Sequence, residues 1–340
     1  MSTFDPNAAA SPDAGVFGLA CTREQAQVIL MGVPFDATTS YRPGTARGPE
    51  AIRRASMQVD LYDHRFGRVY EQGIWMEEHP ESIALLSAQT RHLTQPLLDR
   101  GGAGSGDADA VAKINQACEH VNEFVRVHTA GVLNEGKTPG LVGGEHAVSL
   151  GAIQACADHY GPIGVLQIDA HMDLRHCFEG FRYSHASIMH NVLACIPGVQ
   201  RISQVGIRDY CEEELGVVES AKDRIEVTYW ADVADVLSEG GSLRSLWRKA
   251  IECLPDRVYV TFDIDGLDPA LCPHTGTPVP GGLGFEHAGL LLQMLRQSGR
   301  RIVGFDLVEV APGSDDEPEW DANVGARILY RLCGASGPTR

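Results

Sequence analysis

The chain is poor in positive charge: 28 lysines and arginines stand against 45 aspartates and glutamates, a formal net charge of −17. No Lys/Arg-rich run appears, which excludes nucleic acid as a partner and argues against a phosphate-binding surface. A small cationic or neutral ligand fits that balance. Long hydrophobic runs are also missing. Every apolar stretch is broken by a charge, Gly or Pro within about ten residues, short of the roughly 18 needed to span a bilayer, so no membrane insertion is expected. The N-terminus, MSTFDPNAAASPDAG, has neither a basic start nor an apolar stretch of signal-peptide type. It reads as a flexible tail over residues 1–20 of a cytoplasmic protein. Cysteine pairing is absent too: the nine cysteines are odd in number and contain no CxxC. They read mostly as reduced, buried small hydrophobes and not as a zinc or redox centre.

What is present is a large apolar reserve, 44% of 340 residues, arranged as short apolar runs that alternate with longer amphipathic segments. That rhythm predicts a parallel sheet covered by helices on both faces. The expected strands are Ala26–Gly32, Gly140–Val142, Ile163–Ile168, Ile202–Gly206, Ile225–Thr228, Val258–Phe262 and Ile302–Val308. Their near-continuous Val/Ile/Leu usage implies burial on both sides. Helices are expected over Glu50–Met57, Asp109–Leu133, Ala147–His159, Glu212–Ala221, Ser242–Cys253, Phe285–Gln297 and Trp320–Cys333. Residues 21–340 form one domain, interrupted by an insertion at about 62–107 that ends in the Gly/Asp linker GGAGSGDADA, a mobile surface loop bordering the pocket.

Residues able to do chemistry gather where apolar runs end. Gly143-Gly144-Glu145-His146 follows the run ending at Val142, and its glycines let the backbone turn so that His146 stands at a helix start. There the imidazole either caps the helix or ligates a metal. The run Ile163–Ile168 is followed at once by Asp169, His171 and Asp173. Alternate residues of extended chain share a face, so these three side chains converge beyond the carboxyl end of the sheet, where open α/β folds bind ligands. The alternative is a set of solvated turn carboxylates. Val258–Phe262 repeats the pattern with Asp263 and Asp265. Carboxylates and imidazoles crowded at neighbouring strand ends repel one another and raise carboxyl pKa values unless cations bind. Four aspartates and two histidines suffice for two divalent ions sharing bridging carboxylates. Nitrogen and oxygen donors without thiolate suit Mn²⁺ or Ni²⁺. Such a pair lowers the pKa of a shared water towards neutrality and directs hydroxide at an electrophilic carbon, so the expected activity is hydrolysis.

GGEH, DAHMD and FDIDGLDP, together with SYRPGTARGPEAIR at Ser40 to Arg53, resemble the ureohydrolase family of arginases and agmatinases over most of the chain. The resemblance implies an arginase-like three-layer α/β/α sandwich with a central, mostly parallel sheet, a di-manganese pair and a trimer or hexamer. Under it, His146, Asp169, Asp173 and Asp265 serve one or both ions, with His171 and Asp263 on the more exposed one. Asp173 also lies near the nucleophile. It further singles out His185, in YSHAS, as the histidine that shuttles protons or contacts the leaving amine, a role suited to a group titrating near neutral pH. Glu309, in FDLVEVAPG, takes the place of the glutamate that accepts the substrate guanidinium, which a carboxylate can pair bidentately. On residues alone, His185 reads equally as a surface histidine beside an aromatic loop and Glu309 as a salt-bridged strand-end acid.

Departures from the family bear on substrate. The loop DLRHCFEGFRYSHAS lacks the Asn/Ser-rich pattern with which arginases hold the amino-acid head group, and His185-Ala-Ser stands where agmatinases have His-Gly-Thr. Glu319 to Tyr330 differs as well. The expected place is the agmatinase-like branch that includes guanidine hydrolases, with guanidine or a small substituted guanidine as substrate and urea or a urea derivative as product. Phe178, Phe181, Tyr183 and Trp320 are candidates to line or shorten the pocket, although core packing is the stronger expectation for each one taken singly. Other readings are a biguanide hydrolase, a guanidinobutyrase, a single-zinc deacetylase, a guanidine sensor, and a non-catalytic subunit paired with a paralogue.

Overall fold

Alternation within each apolar run divides the molecule into layers. The computed structural model describes residues 4–11, 14–314 and 319–337. Its strands are β1 (Val28–Val33), β2 (Tyr62–Asp63), β3 (Gly67–Arg68), β4 (Ile74–Met76), β5 (Thr138–Gly143), β6 (Ile163–Ile168), β7 (Val199–Ile207), β8 (Ile225–Tyr229), β9 (Arg257–Asp263) and β10 (Arg301–Val308). Its helices are α1 (Gly48–Ala55), α2 (Glu81–Leu98), α3 (Ala108–Asn134), α4 (Leu150–Tyr160), α5 (Ile188–Cys195), α6 (Glu212–Ser220), α7 (Trp230–Ser238), α8 (Leu243–Glu252), α9 (Phe285–Gln297) and α10 (Trp320–Ser336). Eight strands form one sheet in the order β4-β1-β5-β10-β9-β6-β7-β8, with every pairing parallel.

Leu166 and Ile168 of β6 and Val258, Val260 and Phe262 of β9 enter an apolar cluster with residues of α1, α8, α9 and α10. Their neighbours Val165 and Tyr259 enter a second cluster, with residues of α2, α3, α4 and α5. Successive side chains therefore point to opposite faces, and the sheet is sandwiched between two helical layers. This is the three-layer arrangement expected.

Several elements were not foreseen: β4, α5, α7 and the β2–β3 hairpin. The segment 62–107, expected as an insertion, supplies β4, which pairs with β1 at the sheet edge, and α2, which packs against α3. It is thus built into the sheet and the helical layer. Within the stretch expected as a tail, Val16, Phe17 and Leu19 are buried. The Phe17 ring lies 4.8 Å from that of Tyr330 on α10 and its N–H donates to Ser56 Oγ at 2.9 Å, so this part of 1–20 belongs to the core. Among the described residues, no helix is long and apolar enough to cross a membrane.

Candidate metal centre

The carboxyl ends of β5, β10, β9 and β6, adjacent in the sheet, carry the expected residues. After β5, Gly144 donates its N–H to Val33 O and Glu145 donates to Phe35 O, both at 2.8 Å. A Cβ on Gly144 would lie 2.1 Å from Phe35 O, so only glycine permits this approach, and it delivers His146 to the site. After β9, a Cβ on Gly266 would lie 2.7 Å from the Asp169 N, so the loops following β6 and β9 close on each other for the same reason.

All six expected donors converge. His146 Nδ1 lies 3.1 Å from Asp169 Oδ2, 3.0 Å from Asp173 Oδ2 and 3.5 Å from Asp263 Oδ2. His171 Nδ1 lies 3.1 Å from Asp265 Oδ2 and 3.6 Å from Asp169 Oδ1. Two donor groups result, His146 with Asp169 and Asp173, and Asp169 with His171 and Asp265, the ligand atoms of each within 4.8 Å of one another. Asp169 belongs to both and turns one oxygen towards each, the geometry of a bridging carboxylate. The sorting differs from the resemblance in one respect: Asp263 approaches the buried His146, while Asp265 faces the more exposed His171.

Surrounding groups aim these donors. Thr261 Oγ1 donates to Asp306 Oδ1 at 2.7 Å and so accepts from His146 Nε2, 2.8 Å away. The His146 proton then sits on Nε2, leaving the Nδ1 lone pair for the carboxylate cluster. That nitrogen is buried and has no hydrogen-bond partner among the described residues. Gln204 donates to Gln167 Oε1, and Gln167 to Asp169 Oδ2 at 2.7 Å. Asp265 Oδ1 accepts from Ala170 N, and Asp263 Oδ1 from Asp265 N. Glu214 of α6 accepts from Leu174 N, tying the loop after β6 to a helix.

The electrostatics favour cations. Burial pushes the Asp173 carboxyl up to about 7, with the Asp169 charge adding to it. Burial also pushes Asp263 well above the usual range, followed by the charges of Asp265 and Asp169. At Asp169 burial opposes ionisation, yet His146 and His171, when protonated, hold the carboxyl well below its ordinary range, so positive charge at these nitrogens, from protons or from ions, keeps it ionised. A lone pair without a partner, a shared carboxylate and acids that resist ionising together fit two divalent ions bound by nitrogen and oxygen.

His185 and Glu309 flank the cluster. Both are buried, and His185 Nδ1 lies 3.9 Å from Glu309 Oε1. Glu309 follows β10, donates its N–H to Gly144 O at 2.8 Å and accepts from His146 N at 2.8 Å. Its Oε2 is buried without a hydrogen-bond partner among the described residues. Burial, then the Glu145 charge, raises its carboxyl well above the usual range. Glu309 and Asp173 hold left-handed backbone angles, φ 62° and 55°, a strain of about 1–3 kcal/mol each of the kind found at functional sites.

Of the aromatic candidates for the pocket, Phe178 alone flanks His185, with ring centroids 6.5 Å apart. Phe181 is fully buried in the core, and the Tyr183 hydroxyl donates to Glu119. Trp320 is exposed and donates to Ala270 O. The Gly/Asp linker touches this region: Ala103 N donates to Glu179 O at 2.9 Å, in the turn that carries Phe178. Thr261, Asp306 and Ser40 were missed as functional residues. Thr261 was legible, since it precedes Asp263 by two on the same strand face. Asp306 gave no such signal, being a lone acid within an apolar strand.

The arginase family's sequence profile matches residues 26–334. N(1)-aminopropylagmatine ureohydrolase of Synechocystis is 33% identical, the match covering 93% of this chain and 90% of that protein. Agmatinase of Bacillus anthracis is 31% identical, covering 92% of each. Among solved structures, agmatine ureohydrolase of Thermoplasma volcanium superposes with a TM-score of 0.71 at 26% identity, covering 93% of this chain and 92% of that one. With its strand-end cluster and this extent of similarity, the chain belongs to the arginase family, hydrolases that act on guanidino C–N bonds.

Proposed function

We propose that this chain hydrolyses a small guanidine compound, guanidine itself or a small substituted guanidine, to urea or a urea derivative and ammonia or an amine. The observation that carries the reading is Glu309: a buried carboxyl whose Oε2 has no hydrogen-bond partner among the described residues, facing His185 and accepting from the main-chain N–H of His146. Such a group lacks a cation, and a guanidinium supplies one in planar, two-pronged form. The names of the relatives, agmatinase and aminopropylagmatine ureohydrolase, support a cationic guanidino substrate. His146, Asp169, Asp173 and Asp263 would hold one ion, and Asp169, His171 and Asp265 the other. Two divalent ions bound there, Mn²⁺ or Ni²⁺ by donor type, supply an activated water at neutral pH and positive charge beside the reacting carbon.

The chain's own groups do the rest. Glu309 orients the guanidinium with its carbon towards the donor cluster, His185 lies where the leaving nitrogen departs, and the buried setting excludes bulk water. In balance, a C–O bond forms from water and the C–N bond breaks; one water proton passes to the leaving nitrogen, which departs as neutral ammonia or amine, and the other is released to solvent, where the amine takes up a proton. The assembly proposed is a homo-oligomer, trimer or hexamer.

The test is urea release from guanidine, agmatine, guanidinobutyrate, guanidinopropionate, arginine and metformin, each with Mn²⁺ and Ni²⁺, alongside metal content per chain. Urea from one of the small guanidines, lost on chelation and in Asp263→Asn, is the expected result. Full activity in a metal-free preparation would overturn the proposal.

A further inference from the structure

Ser40 lies in the motif SYRPGTARGPEAIR and meets the site at one atom. Its main-chain N–H donates to His185 Nε2 at 3.3 Å, and its Oγ lies 3.1 Å from the same nitrogen. A backbone amide always carries its proton, so the nitrogen that receives it carries none; in the neutral ring the proton resides on Nδ1. We propose that the Ser40 main-chain N–H locks His185 in its neutral Nδ1–H tautomer, so that His185 acts as a fixed hydrogen-bond donor and not as an imidazolium acid. This rests on the reading of His185 as a site residue and deepens it by naming the atom and the charge state.

The lock is rigid because the loop around Ser40 is tied at many points. Asp36 Oδ2 accepts from Gly44 N and Ala46 N, at 2.7 and 3.2 Å. Thr38 N donates to Glu145 Oε2 at 2.7 Å, Thr94 Oγ1 donates to Ala37 O at 2.6 Å, and Arg91 donates to Thr39 O. From the other side, His185 N donates to Thr38 Oγ1 at 3.0 Å. An imidazolium would set a proton on Nε2 against the Ser40 N–H, with only the hydroxyl left to accept it, in a buried place. The charged and titratable groups around the ring are Glu309 after β10, His146 after β5, Asp169 and His171 after β6, and Arg91 on α2. Burial, the largest cause, also holds the imidazole below its ordinary range, in agreement with the geometry.

Nδ1 is the atom turned towards Glu309. A donor there steadies the carboxylate or the departing nitrogen, while the proton gained by the leaving group is the one released when water adds to carbon. No second proton is needed from the ring.

The test is ¹⁵N NMR of histidine-labelled protein loaded with Zn²⁺ as a diamagnetic ion, with the His185 signals assigned by their loss in His185→Gln. A protonated Nδ1 and an unprotonated Nε2, unchanged from about pH 5.5 to about pH 8 where free imidazole titrates, are expected. The same pattern is expected in Ser40→Ala, which keeps the main-chain N–H. A protonated Nε2, a second proton taken up in that range, or a switch of tautomer in Ser40→Ala would each overturn the lock. Failure to release urea would sink the proposed function and leave this signal in place, so the two readings fail separately.

Discussion

Replacing Thr261 by Val keeps the volume and shape of the side chain and deletes one hydroxyl. That hydroxyl accepts from His146 Nε2 and donates to Asp306 Oδ1. Both partners are buried, and Asp306 Oδ1 keeps the longer donation from Phe262 N at 3.2 Å. Stranding a buried donor and weakening a buried acceptor costs about 2–4 kcal/mol, with no cavity term because the shape is conserved. Function changes as well. Freed of Thr261, His146 can move its proton to Nδ1 and donate to Asp173 or Asp169, 3.0 and 3.1 Å away, which blocks the lone pair an ion needs. Loss of such an orienting partner typically weakens metal binding about 10- to 100-fold. His171 and Asp265 do not depend on Thr261, so the effect should fall on one ion of the pair. Calorimetric titration of the metal-free protein should show one weakened and one nearly unchanged site, urea denaturation should show the stability loss, and Thr261→Ser should recover both. Unchanged affinity for both ions, or equal weakening of both, would refute the reasoning.

Other perturbations separate further parts of the argument. Glu145 is buried and pushed up to about 8 by burial and then by the Asp36 charge, against an ordinary 4.5. Because its folded pKa is raised, ionisation favours the unfolded chain: stability is lost as pH climbs from 4.5 to about 8 and the loss is constant above that. Glu145→Gln removes this penalty, so its stability gain in urea denaturation should be about 2–3 kcal/mol larger at about pH 7.5 than at about pH 5.5; equal gains at both would contradict it. Asp169→Asn should lower the content of both ions, whereas Asp263→Asn should weaken chiefly the one near His146. Metal analysis of the two variants decides, and one fully occupied ion in Asp169→Asn would rule out bridging.

By itself the sequence determined the layers and the donor types. An apolar run ended by Asp169, His171 and Asp173, or by Asp263 and Asp265, marks the strand end where donors gather, but β6 stops at Ile168 and β9 at Asp263, so Asp173, at φ 55°, and Asp265, in the turn Ile264–Gly266, reach the site by loop conformation and not by strand alternation. Apolar continuity likewise announced strands such as Ile163–Ile168 and Val258–Phe262, because both faces of the sheet are covered. Short β4 escaped notice because its three residues carry too little periodic signal, and α7 because it starts directly at the end of β8. Tertiary structure alone decided which donors share an ion: the pairing of Asp263 with His146 and Asp265 with His171 depends on strand order, which brings β5 and β6 to either side of β9 and β10. It also decided the proton positions. Thr261 with Asp306 sets one imidazole and Ser40 faces the other, across sequence separations of 115 and 145 residues. A hydrogen bond between such distant residues depends on where the folded backbone holds both atoms, and no local pattern in the chain encodes that.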